Sequence, residues 1–161
     1  MIFFDLDGVL INSKKNMQVA WNEVNKKLNY STKFSNYFNN IGLPFEDILK
    51  KIGIKRDIQQ AKKIYKNKSI TNFQLIQTYP DVRQTIKQLK NRGYLVAIIT
   101  SKERSRTLKI LKRFKLKFRH ILCPITGKKG KPDPFLLNRL LKKTSKKRKN
   151  TYYIGDTYTD Y

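Results

Sequence analysis

Carboxylates are scarce in this chain, 11 Asp and Glu against 36 Lys and Arg, and four of them sit in two tight pairs. Asp5 and Asp7 fall in "DLDGVL" near the start, and Asp156 and Asp160 in "GDTYTD" at the other end. Four carboxylates at one place repel each other and shift toward protonation unless a cation neutralises them. Oxygen-only ligands favour a hard ion such as Mg2+. The single histidine, His120, and the single cysteine, Cys123, do not make a transition-metal set. Thr100 and Ser101 in "ITS" add hydroxyls, and Lys131 in "KPDP" adds an ammonium. Carboxylates with Mg2+, a hydroxyl and a lysine suit a phosphoryl group, whose charge has to be offset while a nucleophile approaches.

These residues meet only if the fold brings both ends of the chain to one edge. "MIFFDL" is a short apolar run that reads as a buried parallel strand, with Asp5 at its C-terminal end. "YLVAIIT" (94–100), "HILCPI" and "TYYIGD" read as three more strands. Between them, "YPDVRQTIKQLKNRG" predicts a helix with Asp81 as N-cap, Val82, Ile86 and Leu89 on one face and Gly93 as its stop. "KERSRTLKILKRF" predicts a helix with Leu108, Ile110 and Leu111 inward. "DPFLLNRLLKK" predicts another, with Pro134 in its first turn. Strands alternating with helices imply an α/β class with a Rossmann-like parallel sheet, and in such sheets function gathers beyond the carboxyl ends of the strands. The stretch 13–29 repeats Ala20, Trp21, Val24 and Leu28 at helical spacing. Further short helices are expected over 31–78, broken at "IGLP" and "KIGIKRD", with no good strand among them. The expected organisation is a core of 1–12 and 80–161 with an all-helical insert, 13–79, after the first strand.

Length and composition exclude several classes. A chain of 161 residues, 39% hydrophobic, holds one core or a core with a small insert. No apolar run reaches the length of a membrane helix, and Asp5 and Asp7 interrupt the apolar start, so neither a span nor a secretory leader is expected. Cys123 has no partner in the chain and reads as a buried thiol, which points to a reducing cytoplasm. The formal charge of +25 invites a nucleic-acid partner. Lys outnumbers Arg 27 to 9, however, and Asn, Ile and Tyr are plentiful, as an A/T-rich coding bias produces. Arg is the better mark of phosphate recognition, so a nucleic-acid partner is not favoured.

"DLDGVL", "ITS", "KPDP" and "GDTYTD", in this order, resemble the four signatures of the haloacid dehalogenase superfamily of phosphohydrolases. The insert resembles the helical cap of its phosphoglycolate phosphatase and β-phosphoglucomutase branch, and "IGLPFEDILKKIGI" that cap's specificity region. The resemblance implies that Asp5 is the nucleophile, forming an aspartyl-phosphate. Asp7 then protonates the leaving alcohol and afterwards activates water. It further implies that Thr100, with Ser101 beside it, and Lys131 hold the phosphoryl oxygens. Asp5, the backbone carbonyl of Asp7, Asp156 and Asp160 would hold Mg2+. Dehalogenases of the superfamily lack the second aspartate and transport ATPases carry threonine there, so Asp7 implies a phosphatase or a phosphomutase. Mutases of this branch carry a histidine on the first cap helix, about where Met17 stands, and the sole histidine here is His120. That favours hydrolysis.

A cap that closes over the site implies a small phosphorylated metabolite, phosphoglycolate-like or a sugar phosphate. Candidate cap contacts are Ser13, Lys14, Lys15 and Asn16, and Gly42, Leu43 and Pro44 in the second break. Two departures from the resemblance stand nearby: Asn12 replaces an aspartate, and Ser101 precedes Lys102 where Thr-Asn is common. Relatives of this kind continue past the fourth signature, so a core short of its last helix and strand is expected. Two alternatives stay open: a β-phosphoglucomutase-like phosphomutase, and a nucleic-acid-associated or inactive, truncated member.

Overall fold

In the computed structural model of the chain, residues 1–145 and 147–160 are described, and Tyr161, the last residue of the expected core segment, lies outside them. The elements in chain order are β1 (Ile2–Phe4), β2 (Ile11–Asn12), α1 (Lys14–Leu28), α2 (Phe34–Phe38), α3 (Phe45–Lys51), α4 (Ile58–Thr71), β3 (Gln77–Thr78), α5 (Val82–Asn91), β4 (Val96–Ile99), α6 (Arg104–Arg113), β5 (His120–Leu122), α7 (Phe135–Thr144) and β6 (Tyr152–Ile154). The chain divides into two compact units, Met1–Ile11 with Thr78–Tyr161, and Asn12–Gln77.

The first unit is α/β. Its four strands run parallel in the order β5-β4-β1-β6. Phe3 is paired in register with Ala97 on one side and Tyr153 on the other. Phe3, Ala97 and Ile99 pack with Leu136, Leu140 and Leu141 of α7. The alternate residues Ile2, Phe4, Val96 and Ile98 are buried as well, which is why these strands read as unbroken apolar runs: parallel strands are covered on both faces. Helix α6 turns Thr107, Ile110 and Leu111 inward, while Leu108 is 41% exposed. The expectation for Leu108 is corrected by helical geometry, since 107, 110 and 111 share a stripe that 108 leaves. Asp81 does precede α5, but with φ 58° and no side-chain cap bond. Pro134 occupies the N-cap of α7, and Cys123 is buried.

The order of the strands locates the site. From β1 the chain moves outward through β4 to β5, then returns to the other side of β1 as β6. Such a reversal opens a crevice beyond the carboxyl ends of the two strands flanking it, here β1 and β6, the strands that end at Phe4 and Ile154.

The second unit is helical. Met17, Ala20, Trp21 and Val24 of α1 meet Tyr37, Ile48, Leu49, Ala61 and Tyr65. The Trp21 and Tyr37 rings stack with centroids 4.7 Å apart. The two-residue strands β2 and β3 pair with each other; each is too short to carry an alternation, so the pattern between 31 and 78 showed no strand.

Candidate active site

β1 delivers Asp5 directly into the crevice. Its backbone N–H donates to the Ile154 carbonyl (2.9 Å), which continues the β1–β6 ladder by one residue. The side chain is buried; Oδ1 accepts the Leu6 N–H at 2.6 Å and Oδ2 lies 3.0 Å from the Lys131 ammonium. Burial raises the Asp5 carboxyl to about 6, with Lys131 pulling it down and Asp7 and Asp160 pushing it up. One oxygen therefore stays on a fixed amide while the other faces the Lys131 ammonium.

The loop after β1 is wound tightly. Leu10 N–H and Ile11 N–H both donate to the Leu6 carbonyl (3.0 Å each), and Gly8 N–H donates to the Ile11 carbonyl (2.8 Å). Gly8 has φ +79°, and a Cβ there would fall 1.8 Å from Asp156 Oδ2. Glycine is thus required for the Asp156 carboxylate to reach the β1 loop. Gly155 does the same for Asp160, whose side chain lies 2.4 Å from the position its Cβ would take.

The other signatures converge on the same point. Thr100 follows β4, is buried, and accepts the Lys102 N–H on its Oγ1 (3.2 Å). Accepting that amide leaves the hydroxyl its own hydrogen to donate. Ser101, beside it, is half-buried. Lys131 is buried and bridges two carboxylates, Asp5 at 3.0 Å and Asp160 at 2.7 Å. Asp160 is fixed on its other oxygen by the Thr157 N–H (3.1 Å) and hydroxyl (2.8 Å). Burial pushes Asp160 up, but Lys131 and Thr157 together hold it below the usual carboxylate range. Asp156 goes the other way, raised by burial and then by the neighbouring Asp160.

The donor set fits a hard divalent cation. Asp5, Asp156 and Asp160 each offer a carboxylate oxygen, and these oxygens lie within 4.8 Å of one another. Two of the three carboxyls are raised by burial and by mutual repulsion, the state a cation relieves. The two close approaches at Gly8 and Gly155 are what let the groups crowd in.

Two residues of the site carry no motif signal. Lys102 is buried with its ammonium 3.1 Å from Asp7 Oδ2; burial lowers its pKa, and Asp7 opposes this. Its place directly after Thr100-Ser101 was the only clue. Tyr153 of β6 lies under the Lys131 ammonium, 5.2 Å from ring centroid to Nζ, and its hydroxyl donates to the Ile99 carbonyl (3.0 Å). Burial and then Asp5 keep that phenol well above its ordinary pKa.

The expected cap contacts lie in the second unit. Ser13 is buried, and Lys14 is exposed with its ammonium 4.7 Å from the centroid of Phe38. Lys15 and Pro44 are exposed and half-buried respectively, and Gly42 and Leu43 are half-buried. Asn16 differs in kind. It is fully buried; its amide donates to the Ser69 and Asn72 carbonyls (2.9 and 2.8 Å) and accepts the Ser69 hydroxyl (2.7 Å). Both amide hydrogens are committed inside the unit, so Asn16 fastens α1 to the end of α4.

Comparison with known proteins gives the family. The model of the haloacid dehalogenase-like hydrolase family matches residues 2–161, and the chain belongs to that family. It is similar to the pyrophosphatase PpaX of Halalkalibacterium halodurans, 27% identical over 99% of this chain and 75% of that one. It is also similar to the phosphoglycolate phosphatase of Aquifex aeolicus, 26% identical over 99% of this chain and 77% of that one. Among solved structures, a predicted phosphoglycolate phosphatase from Haemophilus somnus superimposes with a TM-score of 0.84 at 25% identity, covering 99% of this chain and 78% of that one. A hydrolase from Pseudomonas syringae does so at 0.88 with 24% identity, covering 99% and 77%, and shows the fold. No helix among the described residues is long and apolar enough to cross a membrane.

Proposed function

We propose that the chain hydrolyses a small phosphate monoester, phosphoglycolate-like or a sugar phosphate, through an aspartyl-phosphate on Asp5. The observation that carries this reading is the buried Asp5 carboxylate with one oxygen fixed on the Leu6 amide and the other facing Lys131. An Asp5 oxygen attacks phosphorus and the bond from phosphorus to the ester oxygen breaks, while the Asp7 carboxyl gives its proton to the departing alcohol. Asp7, now a carboxylate, takes a proton from a water whose oxygen attacks phosphorus. The Asp5–phosphorus bond breaks, releasing inorganic phosphate and restoring Asp5.

Lys131 and the Thr100 hydroxyl hold the phosphoryl oxygens, with Ser101 alongside, and Lys131 also separates Asp5 from an incoming anion. Asp160 keeps the Lys131 ammonium in place. Asp5, Asp156 and Asp160, with the Asp7 backbone carbonyl, are the residues that would hold Mg2+; when bound, the ion neutralises these carboxylates and offsets charge on the transferred group. The names of the phosphoglycolate phosphatase and pyrophosphatase relatives support a small, highly charged substrate, and the lone buried thiol fits a cytoplasmic enzyme. The test is phosphate release, with Mg2+, from phosphoglycolate, sugar phosphates, nucleotides and a 5′-phosphorylated oligonucleotide, beside an Asp5→Asn control. Turnover of a small monoester that the control lacks supports the proposal. No release from any small monoester rejects it.

A further inference from the structure

We infer that Lys102 selects the leaving group: the site favours a phosphate ester or anhydride whose departing half carries its own negative charge, a carboxylate or a second phosphoryl group, within about two bonds of the leaving oxygen. The inference rests on the function proposed above, in which Asp7 serves the leaving oxygen.

Of 27 lysines, the described residues bury two, Lys102 and Lys131. They divide the site between them. Lys131 contacts Asp5 and Asp160, on the side where the phosphoryl group is taken up. Lys102 contacts Asp7 instead, Nζ to Oδ2 3.1 Å, with only 6% of its side chain exposed. An acid that protonates a leaving oxygen stands about 3 Å from it. The Lys102 ammonium, a similar step beyond Asp7, is then within reach of the atoms that follow that oxygen. The backbone holds it there, because the Lys102 N–H is tied to the Thr100 hydroxyl and the Lys102 carbonyl accepts the Thr107 hydroxyl (3.4 Å).

Burying an ammonium carries a large desolvation cost that the charges of Asp7 and, after it, Asp5 offset only in part. A compact, strongly hydrated point charge with three donors can bind Asp7 and a substrate anion together. A neutral leaving group offers it nothing, and a cationic one is repelled.

The experiment compares 2-phosphoglycolate with ethyl phosphate, which has the same carbon skeleton and no carboxylate, and adds pyrophosphate as the second anionic class. All are assayed with Mg2+ on the wild type and on Lys102→Gln, Lys102→Met and Lys102→Arg, with thermal melting to select folded variants. In the wild type kcat/KM favours at least one anionic substrate over ethyl phosphate. In whichever neutral variant folds, that preference falls by roughly 10- to 100-fold, the worth of a charged hydrogen bond, mostly through KM, and Lys102→Arg keeps part of it. Loss of activity by the same factor on all substrates would show that Lys102 serves Asp7 alone and overturns the inference. Absence of turnover by the wild type on every monoester rejects the function itself, a separate outcome.

Discussion

Among single residues, the site is defined by charges held out of water, Asp5, Lys102 and Lys131. Lys131 keeps two buried carboxylates company at 3.0 and 2.7 Å, and removing one partner of a buried pair leaves an uncompensated charge costing about 3–5 kcal/mol. Lys131→Met is therefore expected to lower the melting temperature clearly at pH 7 without Mg2+, and addition of Asp5→Asn to recover part of the loss; calorimetry on the two variants checks both. The role proposed for Asp7 is a different one, acid catalysis. Asp7→Asn is expected to lower kcat by about 10²–10⁴-fold on an alkyl phosphate, and by less on p-nitrophenyl phosphate, whose leaving group departs without a proton. Equal losses on the two substrates would contradict general acid catalysis by Asp7.

At the scale of elements, the site is made by loops that strands bring to one level. Asp5 and Asp156 stand just beyond residues paired in register, Phe4 and Ile154, and the β1 loop closes on Asp156 because position 8 has no side chain. Gly8→Ala is expected to displace Asp156 and to weaken Mg2+ binding, read by titration calorimetry, in a protein that still melts cooperatively. The core strands, the helices between them and the four signatures were legible because their signals are local: apolar runs, helical stripes, and motifs with fixed offsets. What was not legible depends on three-dimensional neighbours. Nothing local marks which of 27 lysines is buried, so Lys102 drew notice only as the residue after Ser101 although its ammonium meets Asp7. Asn16 looked available because its partners, Ser69 and Asn72, lie more than fifty residues along the chain. Leu108 was placed inward on its type, whereas the helix turns Thr107 toward the core in its stead.

For the whole molecule, the proposed cation and the large net charge are expected to govern stability. Mg2+ bound only by the folded chain stabilises it by about 2.7 kcal/mol at a hundred times its Kd, roughly 5–10 °C for a chain of this size. The sign of the pH dependence follows from Asp5, raised from 3.8 to about 6. Without the ion, its contribution to stability is present below pH 3.8 and is lost as pH rises through 6. Because protons and Mg2+ would compete for the same oxygens, the gain from Mg2+ is expected to be full at pH 7–8 and to shrink as pH falls through 6. Thermal melts across that range, with Mg2+ and with chelator, test this. A charge of +25 also repels itself, so moderate salt, which screens beyond about 10 Å at 0.1 M, is expected to raise the melting temperature. In the proposed reaction the phosphoryl group passes through Asp5. Rapid acid quench of the enzyme turning over with Mg2+, followed by peptide mass spectrometry, is expected to find one phosphoryl group on the peptide containing Asp5. Sustained turnover by Asp5→Asn, with no phosphoryl group on that peptide in the wild type, would contradict the account.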